Sequence, residues 1–223
     1  MSDFPFAIIG FDLDGTLVDS SGDLTSSVNI ALAELGRAPV SREQVLTFIG
    51  GGSPRMLRRA LEATGGCPNT GFDALYDRMI DYYAAHIALE THAFPGVETA
   101  LDTLAARGVT LAVVTNKPEH LADKLLRELG LRDRFACLIG GDSLGEGKRK
   151  PDRAPIDAMV ERCGGGKAAF VGDSDFDTRA ARNAGVPCVA VSFGFAHGPV
   201  AELGADAVID RYADLIPVLE RLS

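Results

Sequence analysis

The apolar positions follow two rhythms, and the chain switches between them twice. Residues 6–11 are an apolar run short enough for a fully buried strand. From residue 20 to 89 the spacing is helical instead. Leu24, Val28, Ala31, Leu32 and Leu35 recur on one helix face, with Gly36 as its stop. Ser41-Arg42-Glu43-Gln44 predicts a capping box opening a short helix with Val45, Leu46 and Ile49. Gly50-Gly51-Gly52 interrupts it. The next helix is expected to have Ser53 as N-cap and Pro54 at its first position, with Leu57, Ala60 and Leu61 facing inward. Beyond a glycine-rich loop, Leu75, Met79, Tyr82, Tyr83 and His86 mark a last helix.

After Pro95, strands and helices alternate. Strands are predicted at 109–114, 137–139, 168–171 and 187–191. Helices are predicted at 97–107, 118–129, 155–163 and 178–184, closed by Gly108, Gly130, Gly164 and Gly185. This alternation calls for an α/β fold with a doubly wound parallel sheet, a Rossmann-like core, and an inserted all-helical domain. The core is expected at 1–19 and 90–223 and the insert at 20–89. Right-handed crossovers then bring the carboxyl ends of all strands to one edge, where ligands bind in such sheets. Asp12, Asp14, Thr115, Asn116 and Asp173 fall on that edge.

These are residues with chemistry to offer. An isolated Asp-x-Asp more often caps a turn. Here Asp12 and Asp14 directly follow a buried strand, and Gly15 turns the chain just beyond it. Two such acids repel unless a proton or cation intervenes, and a divalent metal is the economical answer. Asp173 at another strand end reads as a further hard-cation ligand, and magnesium suits a site with few carboxylates. The run Asp173-Ser174-Asp175-Phe176-Asp177 is not a calcium loop, because Thr178 and Ala184 stand where that loop needs Gly and Glu. Asp175 or Asp177 is alternatively the N-cap of the following helix. Gly164-Gly165-Gly166-Lys167 fails as a P-loop, with Glu161 for its first glycine and Ala168 for Ser/Thr. Lys148-Arg149-Lys150-Pro151 is a basic cluster that is either solvated or functional.

Composition narrows the classes of function. A net charge of −9 argues against a nucleic-acid surface and against a polybasic membrane anchor. It leaves room for a small anionic substrate, since a metal and a lysine can reverse the field within one cleft. Cys67, Cys137, Cys163 and Cys188 lack metal-type spacing and read as reduced, structural thiols. Asp3, with no Lys or Arg before the first apolar run, does not suit a signal peptide. With no apolar run of membrane-spanning length either, a cytoplasmic location is expected.

Four motifs then stand in order: Phe11-Asp12-Leu13-Asp14-Gly15-Thr16, Val114-Thr115-Asn116-Lys117, Lys150-Pro151 and Gly172-Asp173-Ser174-x-x-Asp177. In order and spacing the chain resembles the haloacid dehalogenase-like phosphohydrolase superfamily over essentially its whole length. Residues 49–52 with the Leu57–Ala60–Leu61 helix, Pro95-Gly96-Val97, Ile139-Gly140-Gly141-Asp142 and Phe193-Gly194-Phe195-x-His197-Gly198 narrow the resemblance. They imply hydrolysis of 2-phosphoglycolate or a similar small phosphorylated metabolite. The loop 144–150 is longer and richer in glycine than usual in the family, which favours Lys150 over Lys148 as the motif lysine.

The resemblance implies that Asp12 is a nucleophile forming an aspartyl-phosphate and Asp14 the general acid and base. It implies magnesium on Asp12, the Asp14 backbone carbonyl and Asp173, with Asp177 behind them. Thr115, Asn116 and Lys150 would hold the phosphoryl oxygens, and residues 20–89 would be a mobile cap. Arg55, after the triple glycine, is a candidate reader of the substrate carboxylate. A phosphomutase or sugar-phosphate phosphatase is the alternative on the same fold. A dehalogenase would need neither Asp14 nor Asp173, and nothing supports a silent regulator.

Overall fold

The computed structural model describes residues 4–195 and 198–222; Asp3 and His197 lie outside them. The chain divides into two compact units. One takes the chain up to Asp19 and from Ala93 onward, the other Ser20–His92.

The first unit is built on parallel strands. β1 (Ile8–Phe11) is buried along its whole length, as a strand covered on both faces must be. Two short strands, β2 (Val18–Asp19) and β3 (His92–Ala93), pair in a separate ribbon. Then follow β4 (Thr110–Val114), β5 (Cys137–Ile139), β6 (Ala168–Gly172), β7 (Cys188–Val191) and β8 (Ala207–Ile209). With β1 they form a six-stranded sheet in the order β5-β4-β1-β6-β7-β8. Every pairing in it is parallel. The chain thus winds from β1 to one side, then returns across β1 to fill the other. That reversal opens a crevice at the carboxyl end of β1. Phe11 pairs with both Val113 and Val171, so the ends of β4, β1 and β6 lie level. Within β1, Gly10 is a matter of space: a Cβ there would lie 2.3 Å from the Met159 sulfur.

Helices α5 (Val97–Ala106), α6 (Glu119–Glu128), α7 (Ala154–Arg162) and α8 (Asp175–Ala184) alternate with the strands, and α9 (Leu215–Arg221) ends the chain. Their buried positions, such as Leu101, Leu104, Leu121 and Leu125, keep helical spacing. α8 begins three residues earlier than the spacing predicts. Its N-cap is Ser174, not Asp175, and Asp177 completes a capping box from the third position.

The second unit is all helical, with α1 (Ser21–Glu34), α2 (Arg42–Leu46), α3 (Ser53–Ala63) and α4 (Phe72–Ala85). The Ser41 capping box is present in both halves, but α2 ends before Ile49. Gly52, at φ 95°, is the N-cap of α3 in place of the expected Ser53, which puts Pro54 at the second helical position. Leu57, Ala60 and Leu61 are fully buried. Asp23 joins the two ends of the unit, accepting hydrogen bonds from the Glu90 and Thr91 N–H groups and from the Thr91 hydroxyl. Among the described residues no helix is long and apolar enough to cross a membrane.

Candidate active site

Asp12 leaves β1 with its N–H still bound to the Val171 carbonyl at 2.9 Å, so the strand holds its backbone. Its Oδ1 accepts from the Leu13 N–H at 2.7 Å and lies 2.9 Å from Lys150 Nζ. Among the described residues, nothing donates to Oδ2. One carboxylate oxygen is pinned and the other is left for a ligand.

Asp14 sits in the turn that Gly15 makes possible. Gly15 has φ 83°, and a Cβ there would lie 2.3 Å from Asp173 Oδ2. Both the backbone sign and the close approach require glycine. The turn brings the Thr16 hydroxyl to Asp173 Oδ1 at 3.2 Å, while the Phe195 N–H donates to Asp173 Oδ2 at 2.6 Å. From the far end of the chain, buried Tyr212 donates its hydroxyl to the Thr16 carbonyl at 2.7 Å.

Asp177 is fully buried and its bonds are saturated. Oδ2 accepts from the Asp173 and Ser174 N–H groups and the Ser174 hydroxyl. Oδ1 holds Lys150 Nζ at 2.6 Å. Lys150, only 2% exposed, therefore bridges Asp177 and Asp12. Its loop is held through two carbonyls: Asn116 Nδ2 donates to that of Lys150 and Asn183 Nδ2 to that of Pro151, each at 2.9 Å.

Burial drives the ionisation of this cluster. It pushes the Asp12 carboxyl up to about 6, against the pull of Lys150 and with a further push from Asp177. Burial raises Asp173 well above the usual carboxylate range, reinforced by the charges of Asp177 and Asp12. Burial alone would lower Lys150, but Asp12 and Asp177 outweigh it and hold the ammonium charged. Oxygens of Asp12, Asp173 and Asp177 lie within 4.8 Å of one another. Three buried carboxylates against one ammonium leave the cluster short of positive charge. An all-oxygen donor set with that deficit fits a hard divalent cation.

The sequence profile of the haloacid dehalogenase-like hydrolases matches residues 9–191. The chain belongs to that family. A phosphoglycolate phosphatase of Agrobacterium fabrum is 44% identical over 219 residues, covering 96% of this chain and 92% of its own. One from Rhodospirillum rubrum is 42% identical over 95% of this chain and 89% of its own. The crystal structure of a predicted phosphoglycolate phosphatase from Haemophilus somnus superposes with a TM-score of 0.90 at 33% identity, covering 96% of this chain and 98% of that one. This hydrolase is a phosphatase.

Of the candidate residues in this haloacid dehalogenase-like hydrolase, Asp12, Lys150, Asp177, Asp173 and Asn116 form one hydrogen-bonded group in the first unit, and Asp14 and Thr115 belong to a second. Lys117, which the sequence shows only as the last residue of its motif, links that second group together. Its ammonium donates to both oxygens of Asp14 at 3.0 Å, and its N–H donates to the Thr115 hydroxyl oxygen at 3.2 Å. Only the pairing of β4 with β1 makes that visible. The Asn116 side chain is already spent on the Lys150 carbonyl, and its buried Oδ1 has no partner among the described residues. A bare acceptor does not serve phosphate oxygens. The Asn116 backbone N–H is a donor, and it is bound to no protein acceptor among the described residues. Arg55 is exposed in the first turn of α3, in the helical unit. His197 lies outside the described residues.

Proposed function

We propose that this phosphatase hydrolyses 2-phosphoglycolate, or a similar small phosphorylated metabolite, through an aspartyl-phosphate on Asp12. The observation that carries the reading is the asymmetry of the Asp12 carboxylate. Leu13 and Lys150 fix Oδ1, while Oδ2 keeps a lone pair for an incoming phosphorus.

In the first step Oδ2 bonds to phosphorus as the ester P–O bond breaks in line. Asp14 gives its proton to the departing alkoxide. In the second step water attacks the phosphorus of the aspartyl-phosphate, and Asp14 takes the proton of that water. Phosphate leaves, and Asp12 and Asp14 return to their starting states. Lys150, the Thr115 hydroxyl and the Asn116 N–H would hold the equatorial oxygens, where charge spreads in the transition state.

Asp12, Asp173 and the Asp14 backbone carbonyl would hold magnesium, with Asp177 orienting the set through Lys150 and the Asp173 N–H. Bound there, the ion supplies positive charge to the phosphoryl oxygens. The helical unit would serve as a cap that excludes water and selects the leaving group. Arg55, beside the N-terminus of α3, would read the carboxylate of phosphoglycolate.

The test is phosphate release from a panel of small phosphorylated acids and sugars with magnesium present. The reading expects the highest kcat/KM on 2-phosphoglycolate, loss of activity on chelation, and inhibition by calcium. Calcium takes more oxygens and would draw both Asp12 oxygens from the attack. A best substrate lacking a carboxylate contradicts the substrate assignment, and full activity after exhaustive chelation contradicts the metal. Transfer of phosphoryl from a sugar 1-phosphate to a second sugar, in place of release, would favour the phosphomutase alternative.

A further inference from the structure

Lys117 is 8% exposed, and its ammonium holds both oxygens of Asp14 at equal distance. With Lys117 buried and Asp14 half-buried, desolvation offsets much of the pair's attraction, so the pair is weak evidence of a contribution to stability. The sheet explains the contact. β4 lies beside β1 in register, with Phe11 opposite Val113, so the loop after β4 runs alongside the Asp12 to Gly15 turn. The Lys117 N–H bound to Thr115 Oγ1 folds that loop back on itself. The side chain of Asp14 projects from a turn rather than from a strand. An aspartate there has two rotatable bonds and a two-fold symmetric head. A donor that spans both oxygens removes much of that freedom.

We propose that Lys117 is a positioning residue for Asp14, fixing the direction from which the acid meets the leaving oxygen. The proposal rests on the acid–base reading of Asp14 and extends it to a residue with no part in that reading. Lys117 acts through the carboxylate it holds. Its contribution therefore scales with how much the leaving group needs a proton.

The experiment compares Lys117→Met, Asp14→Asn and the double variant in the full chain. Each is assayed with magnesium on a phosphomonoester of a primary alcohol and on para-nitrophenyl phosphate, whose leaving group departs without protonation. The expected result for Lys117→Met is a loss in kcat of about 10- to 100-fold on the alkyl ester, and of less than about threefold on the aryl ester. KM and the thermal shift caused by magnesium stay as in the parent. The double variant is no slower on the alkyl ester than Asp14→Asn, because the two side chains act as one unit. Lys117→Gln keeps an N–H donor over part of the reach and recovers part of the rate. It also carries the comparison if the Met variant does not fold.

Equal losses on both esters, or losses that add fully in the double variant, overturn the proposal. If Asp14→Asn itself loses equally on both esters, the acid role of Asp14 has failed and the proposal falls with it. If Asp14→Asn discriminates between the esters and Lys117→Met does not, the proposal alone has failed.

Discussion

Lys150 Nζ lies 2.9 Å from Asp12 Oδ1, inside a cluster where the lysine is almost wholly buried. The ammonium therefore touches the carboxylate proposed as the nucleophile. Lys150→Met is expected to lower kcat/KM by about 100-fold or more, the scale seen when a charged transition-state donor is removed. Steady-state kinetics on one phosphomonoester checks it. A change below about tenfold means that Lys150 does not hold the phosphoryl group.

Asp177 is expected to matter for folding as well as turnover. Truncation to alanine strips Lys150 of a 2.6 Å partner and leaves the Asp173 and Ser174 N–H groups without their acceptor. Breaking a buried pair from one side costs about 3–5 kcal/mol. Chemical denaturation of Asp177→Ala should show a loss of that order. A loss under about 1 kcal/mol would mean that the cluster relaxes around the gap.

Protons and metal should compete at the same carboxylates. The Asp12 carboxyl is raised to about 6 in the fold, chiefly by burial, against roughly 4 in the unfolded chain. The folded state therefore binds that proton more tightly. Stability of the metal-free protein should fall as pH rises from about 4 to about 6, and Asp173, raised further by burial, should carry the fall beyond that window. Above that window the charged cluster has most to gain from a cation, so magnesium should raise the melting temperature more at pH 7.5 than at pH 5. Thermal melts with and without magnesium at both pH values decide it. Equal shifts at the two pH values contradict the placing of the ion on these residues.

Arg55→Ala tests whether the helical unit recognises substrate. Loss of one charge-assisted hydrogen bond should cost about 1.5–3 kcal/mol in kcat/KM on phosphoglycolate. A small phosphomonoester without a carboxylate should be nearly unaffected. Equal effects on both substrates, or none on either, remove Arg55 from that role.

The sequence carried much of this site in advance, for identifiable reasons. β1 and its two aspartates are legible because a strand buried on both faces leaves an unbroken apolar run that ends sharply at charge. Helix ends marked by glycine fall within a residue or two of their expected places in α5, α6 and α7. The start of α8 was less legible, because Asp175, Asp177 and Ser174 all have the chemistry of a cap. Only the fold shows Ser174 in the extended conformation that a cap needs. β8 and α9 carry little signal: a three-residue edge strand with Val208 exposed, and a seven-residue helix. The partners of Lys117 and of the Asn116 side chain had no sequence mark at all. They depend on which strands are neighbours, a property of the sheet and not of any one motif.

The most direct test of the account asks where phosphorus is bonded during turnover. The enzyme, mixed with a phosphomonoester and magnesium, is quenched in acid within the first turnover, reduced with borohydride and digested. An acyl-phosphate on Asp12 would be reduced to homoserine at that position, readable by peptide mass. The account predicts homoserine at position 12 alone, and neither homoserine nor turnover from Asp12→Asn, whose fold should be intact. Reduction at another carboxylate, or more than a few per cent of the parent's activity in Asp12→Asn, would contradict Asp12 as the nucleophile.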